Sequence, residues 1–192
     1  NQRMKFIKTL VYILLTLLLL YILACFAGPK KNHVERSVTI NAARSVVFDQ
    51  VKSLKAQDAW SPWNKYDPNM KKSFEGQDGA IGSKTSWEGN DSVGTGNQTI
   101  TAIVPNESID QDLQFLKPWK SEAKVNFKLA DEGTGTKVTW TMDSDNPFMS
   151  RAMMLFMNID KMVGADFERG LGNLKTLAET ATPSGATPNY KI

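Results

Sequence analysis

The sequence predicts an α+β fold: a curved antiparallel sheet of about seven strands, two short helices after the first strand, and a long C-terminal helix across the sheet, behind an N-terminal transmembrane helix. Three observations predict it. A charge-free apolar run, Leu10 to Gly28, lies near the start of the chain. Period-two segments separated by Gly, Asn and Asp follow, first at Val34–Ile40 and then repeatedly from Met70 to Asp143. A helical stripe closes the pattern, with Phe156, Val163, Phe167, Leu171, Leu174 and Leu177 at spacings of three, four and seven.

The chain divides accordingly into a basic tail (1–9), an apolar span (10–28), a short linker (29–33), a folded domain (34–180) and a flexible tail (181–192). Its 192 residues, 41% hydrophobic and 22% charged, suffice for one domain with a real core. The formal net charge of +3 misleads as a whole. Residues 1–31 hold Arg3, Lys5, Lys8, Lys30 and Lys31 and no acid, so the remainder carries 18 bases against 20 acids. Nucleic acid is therefore not an expected partner.

The span "LVYILLTLLLLYILACFAG" reaches about 27 Å as a helix, close to the hydrocarbon thickness of a bilayer. Tyr12 and Tyr21 fall toward the interfaces, and Lys8 and Lys30 bracket it. Two other readings compete with an uncleaved anchor. One is a cleaved signal peptide, although its apolar core is usually shorter and no clean small-x-small site precedes the strand. The other is a lipoprotein signal, from "ILAC" at Ile22–Cys25. Met4 opens "MKFIKTL" in the manner of a bacterial start. The short basic tail favours a single-pass protein with its domain on the extracytoplasmic side, and the short linker keeps that domain near the lipid.

"HVERSVTI" alternates, with Val34, Val38 and Ile40 on one face and Arg36 sharing it, which places Arg36 near a sheet edge or a cavity mouth. "ARSVVFDQVKSL" has Val47, Val51 and Leu54 at helical spacing, with Asn41 as its expected cap. "QDAWSPWNKYDPN" reads as a short helix or a structured loop. Six strands follow, "MKKSFEG", "GSKTSWEG", "NQTITAIV", "SIDQDLQFL", "SEAKVNFKLAD" and "TKVTWTMD", which short turns join into a meander. From Pro147 some 34 residues are helical in character, and Gly164, Gly170 and Gly172 within them indicate a bend or close approach to the sheet.

This order, with "VERSVTINAARSVVFDQVKSL" leading into "WSPW" and "GADFERGLGNLKTLAE" near the end, resembles the START-like (SRPBCC) superfamily with the helix-grip fold. That group includes birch-pollen-allergen-like and polyketide cyclase/dehydrase-like proteins. The likeness is closest to bacterial members with one N-terminal transmembrane segment. It implies a deep cavity between sheet and long helix, suited to an apolar or amphipathic small molecule.

Candidate ligand-binding residues are Trp60, Trp63, Trp87, Phe127, Trp140, Met153, Phe156 and Met157. Trp60 and Trp63, held around Pro62, either line that cavity or plug one end of the core. Met153, Phe156 and Met157 belong to a Met-rich stretch suited to an adaptable apolar wall, or to plain helix core. No catalytic set can be assembled: the lone His33 precedes the first strand, and the lone Cys25 is in the span. Metal-ligand spacing is absent, and no cofactor is expected. The favoured function is membrane-tethered binding of a hydrophobic small molecule or lipid. The alternatives are a polyketide cyclase/dehydrase-like enzyme, which would need a buried acid or base, and an envelope interaction domain with a filled core.

Overall fold

The computed structural model describes residues 2–181. Helix α1, Gln2–Ala27, exposes its apolar side chains over nearly its whole length, and is the one described helix long and apolar enough to cross a membrane. Only residues 28–30 separate it from strand β1, Lys31–Ile40. The strand starts ahead of Val34 because its pairing continues to Lys31 opposite Asp145. Most of the expected tail lies outside the described residues.

Helices α2 (Arg44–Lys52) and α3 (Leu54–Trp60) follow β1, then a 3-10 helix, Pro62–Lys65. Asn41 does not cap α2: its backbone N–H donates to Glu179, and Ala43 holds the cap position without a side-chain bond. Ser53 caps α3, accepting from the Ala56 N–H at 3.0 Å. Its hydroxyl donates to Asp78, which also accepts from the Leu54 N–H. Two orphan helix donors are thereby satisfied, which fixes where the chain turns between the helices.

Strands β2 (Lys71–Glu75), β3 (Lys84–Glu88), β4 (Thr95–Val104), β5 (Ser108–Lys117), β6 (Ser121–Glu132) and β7 (Gly135–Asp145) form an antiparallel meander. β1 closes against β7, giving the order β1-β7-β6-β5-β4-β3-β2. Register shifts in β4, between Thr95 and Gly96 and between Ile100 and Ala102, bend the sheet there. Alternation sends Ala123, Val125, Phe127 and Leu129 of β6 into the concave side with Val138, Trp140 and Met142 of β7.

The long C-terminal helix is shorter than its stripe predicts. A 3-10 turn, Phe148–Ser150, and a single helical turn α4, Arg151–Met154, come first; the chain breaks, and α5 runs Ile159–Thr180. The break lies where Asn158 caps α5, its side chain accepting from the Lys161 N–H at 2.8 Å, with Asp160 in the favourable first turn. Phe156 therefore leaves the stripe, while Phe167, Leu171, Leu174 and Ala178 are buried.

α5 packs mainly on β1, beside α2, α3 and the 3-10 helix that follows α3. Two of its glycines allow that approach. A Cβ at Gly170 would come within 2.9 Å of the Trp140 ring, and one at Gly164 would collide with the Arg36 guanidinium. Arg36 crosses Gly164 and ties two carboxylates about two turns apart, one on each side of that glycine: Asp160 at 2.8 Å and Glu168 at 2.7 Å. The arginine thus clamps helix to sheet edge and is not directed at an open cavity.

That clamp holds the Asp160 carboxyl below its ordinary value, chiefly through the Arg36 hydrogen bond. A carboxyl lowered on folding contributes stability that is present above the unfolded pKa and lost as pH falls through the folded one. Asp160→Asn should therefore flatten the acid limb of the stability–pH curve below about pH 4, read by urea unfolding at stepped pH.

Candidate functional site

The strand register lays out the concave face as rows. One row runs Val34, Met142, Val125, Gln111, Ile100 across β1, β7, β6, β5 and β4. The next, toward the far end of the sheet, runs Arg36, Trp140, Phe127, Ile109, Ile103. On the other side lie Ser144, Ala123, Leu113, Gln98, Thr85 and Phe74, and beyond them Phe115, Gly96, Trp87 and Lys72. The face thus changes from apolar beneath α5 to mixed over β3–β5.

The apolar half is filled. The Trp140 ring stacks on Phe167 of α5 at 3.9 Å between centroids and 7° between planes. Trp60 and Trp63 meet it edge-on at 5.5 and 5.7 Å, and Phe127 lies against it at 5.0 Å. Trp60, Phe127 and Phe167 are almost wholly buried, while Trp63 is half-buried on the outside of the cluster. The Trp60 indole donates to the Gln50 carbonyl, and Asn173 of α5 donates to the Trp60 carbonyl. The "WSPW" stretch is therefore a plug that joins α3, sheet and α5, and no deep hollow separates helix from sheet at this end.

The mixed half stays partly open. Thr85, Trp87, Gln98, Leu113 and Phe115 are all half-buried. Gly96 lets the Trp87 ring lie flat across β4, since a Cβ there would come within 2.5 Å of that ring, and Phe115 closes against it edge-on at 5.9 Å. The Trp87 indole donates to the Val93 carbonyl at 3.2 Å, which fixes its direction. On the β2 side the Lys72 ammonium bridges to Asp58 and Asn64, tying the strand to α3 and the 3-10 helix.

A line of amides crosses between the halves. The Gln57 amide donates to the Val51 carbonyl at 2.6 Å, and its oxygen lies 3.4 Å from the Gln98 amide nitrogen. Gln98 also donates to the Gln111 side-chain oxygen. Gln111 is 1% exposed, yet its amide nitrogen has no partner, and neither has the indole N–H of Trp140, 5% exposed. Among the described residues these are the two buried side-chain polar atoms left unpaired. The sequence reading missed the amides because alternation marks a concave-face glutamine only as a break in an apolar pattern.

The remaining expected ligand contacts lie elsewhere. Met153 is 52% exposed and Phe156 90%, both pointing out of the domain rather than into a wall between α5 and the sheet. The helix break at Leu155–Asn158 turns that segment outward. Met157 is half-buried in an open surface depression of about 370 Å³, whose lining also includes Asn32, His33, Leu155 and Asp160.

His33 sits on β1 beside that depression, with its Nδ1 2.7 Å from Asp143 and Nε2 3.8 Å from Glu35. The Asp143 hydrogen bond raises its pKa above the usual 6.5. A base raised on folding contributes stability present below the unfolded pKa and lost as pH rises through the folded one. NMR titration of this sole histidine should give a midpoint above 6.5, and Asp143→Asn should return it toward that value. No group of His, Cys, Asp and Glu with metal-binding geometry occurs among the described residues.

Known structures share this architecture. A Chromobacterium violaceum protein superposes with a TM-score of 0.58 at 14% identity, over 78% of this chain and 99% of its own. A Mesorhizobium loti protein matches at 0.56 and 16%, over 79% of this chain and 100% of its own. The di-domain ARO/CYC StfQ from the steffimycin biosynthetic pathway matches at 0.60 and 10%, over 78% of this chain and 52% of that larger one. No curated protein matches the sequence. These likenesses establish the helix-grip fold. A family model described as "Polyketide cyclase / dehydrase and lipid transport" matches residues 31–179, from the first residue of β1 to the last turns of α5. The chain belongs to that polyketide cyclase/dehydrase and lipid-transport family, within the START-like superfamily.

Proposed function

We propose that this protein is a membrane-tethered binder of an apolar or amphipathic small molecule, such as a lipid, held on the open half of the concave face. The carrying observation is the buried, unpaired donor Gln111 Nε2, which borders that half through its neighbour Gln98. Leaving such a group unsatisfied costs about 1–3 kcal/mol, so a ligand oxygen presented to it removes a standing penalty. Leu113, one row along the face from Gln111, and Phe115 and Trp87 beyond it offer the apolar surface, and desolvation of a ligand's hydrocarbon part against these side chains drives the association. The ligand therefore has a hydrogen-bond acceptor at one end and an apolar body at the other. α1 supplies the tether, keeping the domain within reach of membrane-dissolved molecules.

Titration of the full chain in lipid nanodiscs with a brominated fatty acid tests this reading, because bromine on the alkyl chain quenches nearby indoles. Saturable quenching, weakened by Gln111→Leu, is the expected result. Quenching that rises without saturation and equally in both proteins would count against it. The enzyme reading has less support: Arg36 is committed to Asp160 and Glu168, and the one imidazole lies outside the concave face.

A further inference from the structure

The segment between β7 and α5, together with the first turn of α5, is apolar and faces outward. Met149 (64% exposed), Met153, Leu155, Phe156 and Met162 all present large apolar side chains within one short stretch. Single exposed apolar residues are ordinary, but contiguous ones mark a contact surface. No other element of the described domain covers them.

The position of α1 says what does. Its last turns are docked onto this same segment. The Tyr21 hydroxyl donates to the Met149 carbonyl, the Phe26 ring packs edge-on against Phe148 at 5.0 Å, and Cys25 is fully buried beside them. Gly28 lies so close to the Arg151 backbone that a Cβ would fall 2.2 Å from its carbonyl oxygen. Tyr21 is six residues before the end of α1, about 9 Å deeper along the axis. A backbone bonded to Tyr21 cannot stand clear of a bilayer that the helix crosses.

We infer that Phe148–Met162 is an interfacial wedge that seats the domain on the leaflet from which α1 emerges, with Met149, Met153 and Phe156 in the outer acyl region. This rests on α1 being a membrane span. Amphipathic interfacial segments bury their apolar side about 5–10 Å into the headgroup boundary, which matches the depth that Tyr21 sets. Lys30, Lys31 and Lys161, all exposed, flank the wedge where lipid phosphates lie. The membrane then acts as a second attachment beside the contacts of α1 with Phe148–Arg151, holding the sheet in one orientation against the leaflet.

The test uses the full chain with Cys25→Ser, carrying one environment-sensitive fluorophore at a time, on Leu15→Cys, Phe156→Cys or Val104→Cys. It is reconstituted in vesicles containing lipids spin-labelled near the headgroup or deep in the chain. Leu15 reports the span, and Val104 lies at the opposite end of the sheet from the Lys31–Asp145 pair. Strong quenching at 15 by deep labels, and at 156 by shallow labels several-fold above that at 104, is expected. Quenching at 15 with position 156 as unquenched as 104 would overturn the wedge and leave the span standing. No quenching at 15 would overturn both.

Discussion

Replacing Trp140 by alanine should lower the unfolding free energy by about 3–5 kcal/mol, measured by far-UV circular dichroism in urea. The size follows from position. Trp140 is the one ring touching four others, from α3, the 3-10 helix, β6 and α5. Its loss removes a stacked contact with Phe167 and leaves a cavity that neither the sheet nor the Arg36-clamped helix can easily close. Trp140→Phe keeps a ring against Phe167 and also removes the unpaired indole N–H, so it should cost clearly less. Equal losses in both variants would mean that stacking is not what holds α5 to the sheet.

The second large effect separates stability from function. Gln111→Leu should leave the empty protein as stable or slightly more so, because it replaces a buried, unsatisfied amide nitrogen with carbon. The displaced partner, Gln98, is half-buried and retains the Gln57 oxygen within 3.4 Å. Ligand affinity should nevertheless fall about tenfold or more, the equivalent of about 1.4 kcal/mol for one lost hydrogen bond from a desolvated donor. Urea unfolding and the fatty-acid titration on the same preparation read the two effects. A variant that loses stability and binding together would show the amide to be a structural group satisfied by buried water.

Much of the architecture was legible because local patterns and tertiary demands agree. The six-strand meander could be read from alternation alone, since Ala123, Val125, Phe127 and Leu129 of β6 and Val138, Trp140 and Met142 of β7 share the concave face and most of the turns carry Gly, Asn or Asp. The docking glycines were legible as anomalies within a helix, and Gly164 and Gly170 both mark close approach. The end of the stripe was not. Phe156 falls in phase with Val163, but Asn158 offers a local cap that outcompetes helix continuation, so an apolar residue in register ends on the outside. Periodicity reports which face is apolar and says nothing about whether protein or lipid covers it.

The candidate site shows the same limit. Trp60, Trp63 and Trp140 stood out as large aromatics, yet they are engaged mainly with one another. Gln57, Gln98 and Gln111 were invisible because a glutamine acquires meaning only from the neighbours that the register supplies. The strong chemical signal here is an absence of partners, which sequence cannot display.

Native mass spectrometry of the full chain, released from nanodiscs after gentle purification, addresses the proposed cargo most directly. A discrete added mass on the wild type, stoichiometric and missing from Gln111→Leu, is what a molecule lodged against the Gln111 amide predicts. A bare chain from every preparation, or an adduct unaffected by the substitution, would contradict it.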